Sequence, residues 1–257
     1  MTYCIGMLTD EGLVMLADTR TNAGVDNIST FRKLTVWESP GDRVIALAAA
    51  GNLSISQTAI NLVDEGVENP DTGEIETIHT VPSMFRAAQL VGRAIRAVYR
   101  TAVPGKEASD PAFSASLLLG GQIAGRQARL FHVYAEGNFI EATPDTPFFQ
   151  IGEHKYGKPI LDRVFTYRTP LVDGVKLALI SMDSTLRSNL SVGLPCDLLV
   201  YRRDAIAVDT LRRIDEDDPY FADIRQAWSD ALRNAYGALA APPWMGVRDA
   251  DIPPPGR

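Results

Sequence analysis

The chain is poor in the residues that build disulfide frameworks and metal centres. It has two cysteines, Cys4 and Cys196, and neither lies in a CxxC motif, so we expect no disulfide framework and a reducing, cytoplasmic location. Its three histidines, His79, His132 and His154, are scattered without HExxH spacing or a nearby cysteine, which argues against a transition-metal site. We therefore predict neither a metal ion nor another cofactor.

Long apolar runs and an excess of positive charge are also missing. No uncharged apolar run approaches the roughly 18 residues that a membrane-spanning helix needs, so no membrane association is expected. The first residues lack a basic region followed by an apolar stretch, so no signal peptide is expected. The net charge of −7 argues against nucleic acid as a partner, because binding phosphates needs a basic patch.

Length and apolar content predict one large domain. The chain has 257 residues, of which 46% are hydrophobic, enough for a sizeable core. We predict that the domain covers residues 1–241 and includes a C-terminal helix over 218–239. Residues 242–257, which are rich in proline, are expected to form a flexible tail.

Hydrophobic periodicity predicts strands, two helices, strands, two helices and again strands. The predicted strands cover residues 3–8, 13–17, 30–37, 44–49, 115–120, 128–134, 139–142, 196–201 and 205–211. The predicted helices cover 53–62 (with Ser54 as N-cap), 84–99, 159–165, 172–189 and 218–239. The intervening residues 20–27, 65–80 and 151–158 are predicted to be loops or turns. This order does not alternate as in a doubly wound sheet, and it indicates an α+β fold with two sheets packed face to face and helices outside.

The second residue is the most informative position of the chain. Removal of Met1 would leave Thr2 with a hydroxyl nucleophile and an α-amine that titrates near pH ~8, close to where a general base should sit. The turn signal at residues 9–12 predicts a hairpin that brings Asp18 back beside Tyr3 and Thr2. Taken alone, however, threonine is a common second residue.

Lys33 is the candidate that would tune this amine. An ammonium beside Thr2 would lower the pKa of the α-amine and of the hydroxyl, and Asp18 would hold that ammonium charged and oriented. The alternatives are a strand lysine with a solvated head and an aspartate in a turn or helix cap. Cys4, two residues from Thr2, is interpreted as part of the core or of the pocket wall.

Several short motifs in a fixed order resemble those of one enzyme family. They are Thr2, Ala17-Asp18-Thr19-Arg20, Lys33, Ala50-Gly51-Asn52, Leu119-Gly120-Gly121 with Arg129-Leu130-Phe131, Phe149-Gln150-Ile151-Gly152 and Ser191-Val192-Gly193. Over residues 2–211 the chain resembles the proteasome β-subunit family of N-terminal-nucleophile hydrolases, and most closely its bacterial Anbu (ancestral β-subunit) branch. The resemblance implies a four-layer αββα sandwich and cleavage of peptide or amide bonds through an acyl-ester intermediate. It also implies a peptide or protein substrate and a homo-oligomer, either open and helical or ring-like.

The resemblance also implies roles for individual residues. Thr2, Asp18, Lys33 and Gly51 match the catalytic positions, with the Gly51 N–H as the oxyanion donor, although glycine there is otherwise typical of a strand-to-helix turn. The supporting candidates are Arg20, Glu153, Ser188 and Ser191.

Two of these supporting residues depart from the family pattern. Glu153 and Ser188 stand where the family usually carries a serine and an aspartate. They favour one alternative function, a catalytically weak scaffold or peptide-binding assembly. The other alternative is a hydrolase of small amides or of one specialised peptide, because the expected pocket residues Asn22, Ala23, Asp26 and Ala50 are small or polar and select no particular side chain.

Overall fold

Two five-stranded antiparallel sheets form the centre of the structure. The computed structural model describes residues 2–22, 28–102 and 114–245. Its strands are β1 (Tyr3–Leu8), β2 (Gly12–Asp18), β3 (Arg20–Asn22), β4 (Ile28–Thr30), β5 (Leu34–Ser39), β6 (Arg43–Gly51), β7 (Val67–Glu68), β8 (Ile75–Glu76), β9 (Ala115–Ile123), β10 (Arg129–Val133), β11 (Phe139–Glu141), β12 (Phe148–Gly152), β13 (Cys196–Arg202) and β14 (Thr210–Ile214). Its helices are α1 (Leu53–Glu65), α2 (Met84–Ala102), α3 (Lys158–Val164), α4 (Leu171–Ser188) and α5 (Pro219–Gly237), followed by a 3-10 turn at Pro243–Met245.

The two sheets pack against each other and are covered by helices on their outer faces. The first sheet has the strand order β12-β1-β2-β13-β14, and the second has the order β11-β10-β9-β6-β5. Strand β1 contacts β6, β9 and β10 across the interface between the sheets. Helices α1 and α2 cover the second sheet, and α4, which contacts α3, covers β1 and β2 of the first. The predicted α+β class and αββα layering are therefore confirmed.

Burial on both faces explains why the first two strands read as almost unbroken apolar runs. Every residue of β1 and β2 is buried, because the second sheet covers one face and α4 the other. One core lies between the sheets and includes Leu13, Met15 and Leu130. A second core lies between the second sheet and helices α1 and α2. The first residues of the chain are thereby held at the centre of the fold.

The C-terminal helix belongs to a unit of its own. The chain divides into Met1–Asp218 and Pro219–Arg257, and the second unit contains α5 and the 3-10 turn. The helix predicted over 218–239 is present as α5, whereas the predicted domain boundary at residue 241 stays a prediction. Most of the predicted tail, residues 246–257, lies outside the described residues.

The strand predicted over residues 30–37 is wrong, and the reason matters for the site. The chain changes pairing partners there: β4 pairs with β3 of its own two-stranded sheet, whereas β5 pairs with β6 of the second sheet. Residues 31–33 form the connection between them. Lys33 therefore lies just before a strand rather than inside one, although its carbonyl oxygen still accepts a bond from the Ala49 N–H at 2.9 Å.

Other differences between the predicted and the observed elements also arise from contacts with distant parts of the chain. The last strand lies at Thr210–Ile214 rather than 205–211, because Asp204 and Ile206 adopt positive φ and Gln122 holds the connecting loop through hydrogen bonds to Asp204. The predicted turn 151–158 begins inside β12, which pairs with β1. The predicted loop 65–80 contains the β7–β8 hairpin, and the predicted loop 20–27 begins with β3.

The N-cap of α1 is Asn52 rather than the predicted Ser54. The Asn52 side-chain oxygen accepts a hydrogen bond from the Ile55 N–H at 3.2 Å, whereas Ser54 is exposed in the first turn. We expect Asn52→Ala to lower the free energy of unfolding by about 1 kcal/mol, because an orphan amide loses its acceptor. The matched Ser54→Ala variant should change it by only a few tenths. Urea unfolding of both variants checks this, and equal losses would contradict the Asn52 assignment.

Candidate active site

A cleft of about 430 Å³ opens beside the start of β1. Its walls come from Thr2, from Thr21 in β3, from the connection 31–33, from the end of β6 and from the first two turns of α1. Three of the four predicted catalytic residues, Thr2, Lys33 and Gly51, line it. The fourth, Asp18, lies behind it at the end of β2.

Asp18 is the buried anchor of the cluster. The β1–β2 register pairs Cys4 with Ala17, which places Asp18 beside Tyr3 as the hairpin prediction required. The Asp18 Oδ1 atom accepts from the Tyr3 N–H at 3.0 Å and from Lys33 Nζ at 2.8 Å, and Oδ2 accepts from the Gly193 N–H at 3.3 Å. Burial raises the pKa of the Asp18 carboxyl, while the Lys33 ammonium and the two amides oppose that rise.

Lys33 is buried and paired with Asp18, and it is not a strand lysine with a solvated head. Its side chain is only 4% exposed, and its ammonium donates to Asp18 and, at 2.5 Å, to the carbonyl oxygen of Arg20. A buried ammonium keeps its charge only with a counterion and satisfied donors. This geometry excludes the solvated alternative and leaves a fixed cation at the edge of the cleft.

Thr2 is held by the backbone on the side away from the cleft. Only 7% of it is exposed, and its carbonyl oxygen accepts from the Glu153 N–H at 2.8 Å just after β12. Because β12 and β2 flank β1, the backbone that follows Thr2 has little freedom to move. Met1, whose removal would free the Thr2 amine, lies outside the described residues.

Gly51 ends β6 in a conformation that requires glycine. Its φ is +100°, and a Cβ atom there would lie 2.3 Å from the carbonyl oxygen of Ser114. That oxygen accepts a hydrogen bond from the Asn52 N–H at 2.8 Å. The strand-to-helix turn is thus real, and the turn carries Gly51 to the cleft surface. Its role as oxyanion donor stays a prediction.

The four supporting candidates are not brought together in the cleft. Arg20 donates to the Leu190 carbonyl oxygen at 3.1 Å, and the Ser191 N–H donates to the Asn189 side chain at 2.9 Å. Ser188 is the exposed last residue of α4, and none of the four lines the cleft.

Glu153 is the supporting candidate next to Thr2. The hydrogen bond from its N–H to Thr2 places it there, and its side chain is 12% exposed. Its Oε2 atom lies 3.5 Å from Lys155 Nζ but has no hydrogen-bond partner in the described part of the chain. This carboxylate oxygen can therefore still accept a hydrogen bond.

Sequence reasoning missed several residues that shape the site. Arg32 and Gln57 line the cleft, and the Gly193 N–H donates a hydrogen bond to Asp18. The signal for Gly193 was present in the motif 191–193, but its contact with Asp18 joins residues 175 positions apart. Of the expected pocket residues, Ala50 lines the cleft, whereas Ala23 and Asp26 lie outside the described residues, as does the side chain of Asn22.

Cys4 belongs to the wall behind the site. Its thiol is buried and donates to the Ala49 carbonyl oxygen at 3.5 Å, and burial raises its pKa. A thiol that resists ionisation in this way is a poor nucleophile. The core interpretation of Cys4 therefore holds.

Within residues 2–22, 28–102 and 114–245, no group of three or more His, Cys, Asp or Glu side chains is arranged to hold a metal ion. None of the helices in these ranges has the length and apolar character needed to cross a bilayer.

Comparison with solved structures identifies the family. Anbu (ancestral β-subunit) from Yersinia bercovieri superposes with a TM-score of 0.85 and 48% identity, covering 93% of this chain and 98% of that one. Anbu from Hyphomicrobium sp. strain MC1 gives 0.84 and 50% identity over 93% and 98% of the two chains. A helical assembly of the Anbu complex from Pseudomonas aeruginosa gives 0.86 and 46% identity over 95% and 100%. Neither the protein-family models nor the curated proteins yield a match.

These likenesses define the class of the protein. The fold is the proteasome-like, N-terminal-nucleophile hydrolase sandwich. The chain belongs to the Anbu family of ancestral proteasome β-subunits.

Proposed function

We propose that this protein is an N-terminal threonine hydrolase that cleaves peptide or amide bonds. The observation that carries the proposal is the cluster in which Thr2 and Lys33 line one cleft while Lys33 is bonded to the buried Asp18. An N-terminal threonine is activated by its own amine, and a fixed cation held by an oriented carboxylate is suited to tune that amine.

The reaction begins at the Thr2 hydroxyl. After loss of Met1, the α-amine takes the hydroxyl proton as Thr2 Oγ1 attacks the substrate carbonyl carbon. The Lys33 ammonium disfavours a second positive charge nearby, which keeps the resting amine neutral and able to act as a base. The Gly51 N–H donates to the developing oxyanion, an interaction typically worth about 3 kcal/mol.

The intermediate then collapses in the usual order of acyl transfer. The C–N bond breaks, and the leaving amine takes the proton held by the α-ammonium, which leaves an ester on Thr2. A water molecule gives its proton to the freed α-amine and attacks the ester carbonyl. The carboxylic acid product departs, and the hydroxyl regains its proton.

We also propose that the protein works as a homo-oligomer. The Anbu complex of Pseudomonas aeruginosa is described as a helical assembly, and this chain covers that protein's full length. Helix α5 and the residues just after it support the proposal, because Leu232 and Tyr236 in the helix and Leu239 beyond its end are each at least half exposed.

Two alternatives keep the same architecture. A hydrolase of small amides or of one specialised peptide would use the same chemistry with a narrower substrate range. A scaffold or peptide-binding assembly is favoured by Ser188, which is exposed at the end of α4 where the related enzymes usually carry an aspartate. The nearby Asp183 is buried and pairs with Arg187 at 3.0 Å.

Intact mass combined with covalent labelling tests the proposal. We expect the purified protein to lack Met1 and to gain one equivalent of a peptide epoxyketone, with the adduct on Thr2. Reaction with a panel of fluorogenic peptide amides then separates a general peptidase from a narrow one. Retention of Met1, or labelling that spares Thr2 in protein lacking Met1, would favour the scaffold.

A further inference from the structure

The described residues that line the cleft include two cations and no carboxylate. Among the described residues that line it, the charged side chains are those of Arg32 and Lys33, with no aspartate or glutamate. Asp18 offsets the charge of Lys33 from behind. The first turn of α1, which also faces the cleft, contains no acidic residue. Among the described residues of the cleft, the charge left for a ligand is therefore that of Arg32.

Within the described part of the chain, Arg32 differs from most charged side chains in having no hydrogen-bond or ion-pair partner. It is exposed, and the described part of the chain offers it no hydrogen bond or ion pair. By contrast, Arg43 pairs with Asp42, and Arg213 makes two bonds to Asp197. A guanidinium presents several donors in a planar fork that matches a carboxylate.

The position of Thr2 decides which part of a substrate meets Arg32. The carbonyl that Thr2 attacks must lie at its hydroxyl, so the side chain of that same substrate residue projects into the surrounding cleft. The wall there combines apolar Phe31 and Ile60 with the polar Ser56 and Gln57. These side chains suit a methylene stem and a polar head group.

We propose that the cleft selects peptides with a glutamate or aspartate on the acyl side of the cleaved bond, through an ion pair with Arg32. This inference rests on the proposed function, because it places the substrate carbonyl at Thr2. The Lys33 ammonium already donates to Asp18 and to the Arg20 carbonyl oxygen. Arg32 is therefore the residue that determines specificity.

The test measures binding, so that it does not depend on turnover. The Thr2→Ala protein is titrated with two N-terminally fluorescent tetrapeptide amides that differ only in a C-terminal glutamate or glutamine. By fluorescence anisotropy, we expect the glutamate peptide to bind about tenfold more tightly, because charge-assisted hydrogen bonds exceed neutral ones. The added substitution Arg32→Gln should abolish the difference, and Arg32→Glu should favour a matched lysine peptide.

A matched control separates this effect from general electrostatics. Arg163 on α3 is likewise exposed and does not line the cleft, so Arg163→Gln should leave the glutamate preference intact. Equal binding of the two peptides, a preference that survives Arg32→Gln, or failure of both peptides to bind would overturn the proposal. The proposed hydrolysis is judged separately, by labelling of Thr2 in the unsubstituted protein. The two ideas can therefore fail independently.

Discussion

Replacing Thr2 by alanine should remove hydrolysis of any substrate that the unsubstituted protein cleaves. The expected fall in kcat/KM is roughly 10³-fold or more, down to the level of buffer, because alanine has no hydroxyl to form the ester. The fold should survive, since the side chain is small and the strand is held by the Thr2 carbonyl oxygen and the pairing of β1. Turnover of a reactive peptide amide, with circular dichroism to verify folding, checks the prediction.

The matched control for that experiment is Thr2→Ser. Serine keeps a hydroxyl and an amine in the same geometry, so measurable turnover and labelling should persist. Turnover that is equal in Thr2→Ala and in the unsubstituted protein would show that the activity arises elsewhere. It would leave Anbu-type architecture without this chemistry.

Lys33→Met should abolish activity and also weaken the fold. It removes the cation that we propose tunes the Thr2 amine, and among the described residues it leaves the fully buried Asp18 carboxylate with two amide donors. Removing one partner of a buried ion pair typically costs about 3–5 kcal/mol. Urea unfolding of Lys33→Met and of the unsubstituted protein measures that loss, and turnover is assayed on the same samples.

The double variant Asp18→Asn with Lys33→Met separates stability from catalysis. Asparagine carries no net charge and keeps one oxygen, which can accept from the Tyr3 amide that donates to Oδ1, but it offers no acceptor in place of Oδ2 to the Gly193 amide, so part of the lost stability should return. Activity should not return, because the cation is still missing. Unchanged stability in Lys33→Met alone, or recovery of turnover in the double variant, would contradict the roles given to this pair.

Local sequence information was sufficient for much of the architecture. The turn at residues 9–12 fixed the pairing of Cys4 with Ala17, and hence the position of Asp18 beside Tyr3. Hairpin register follows from the turn alone, so no distant contact was needed. The order of strands and helices likewise sufficed for the two-sheet sandwich.

The parts that sequence could not supply depend on distant partners. The break between β4 and β5 exists because neighbouring segments pair in different sheets, and no local pattern records that choice. The Gly193 amide reaches Asp18 only after the chain has crossed the whole domain. Asn52 and Ser54 are both good N-cap residues, so only the observed geometry distinguishes them. Arg32 was overlooked beside Lys33, since an exposed arginine has many ordinary explanations.

The almost complete enclosure of Thr2 has a practical consequence for producing the protein. An affinity tag or reporter fused ahead of Thr2 would be joined directly to a residue that lines the cleft. Such a fusion would convert the Thr2 amine into a peptide amide, which could not act as the proposed base. Recombinant material intended for assays should therefore be tagged after α5, or cleaved so that threonine becomes its first residue.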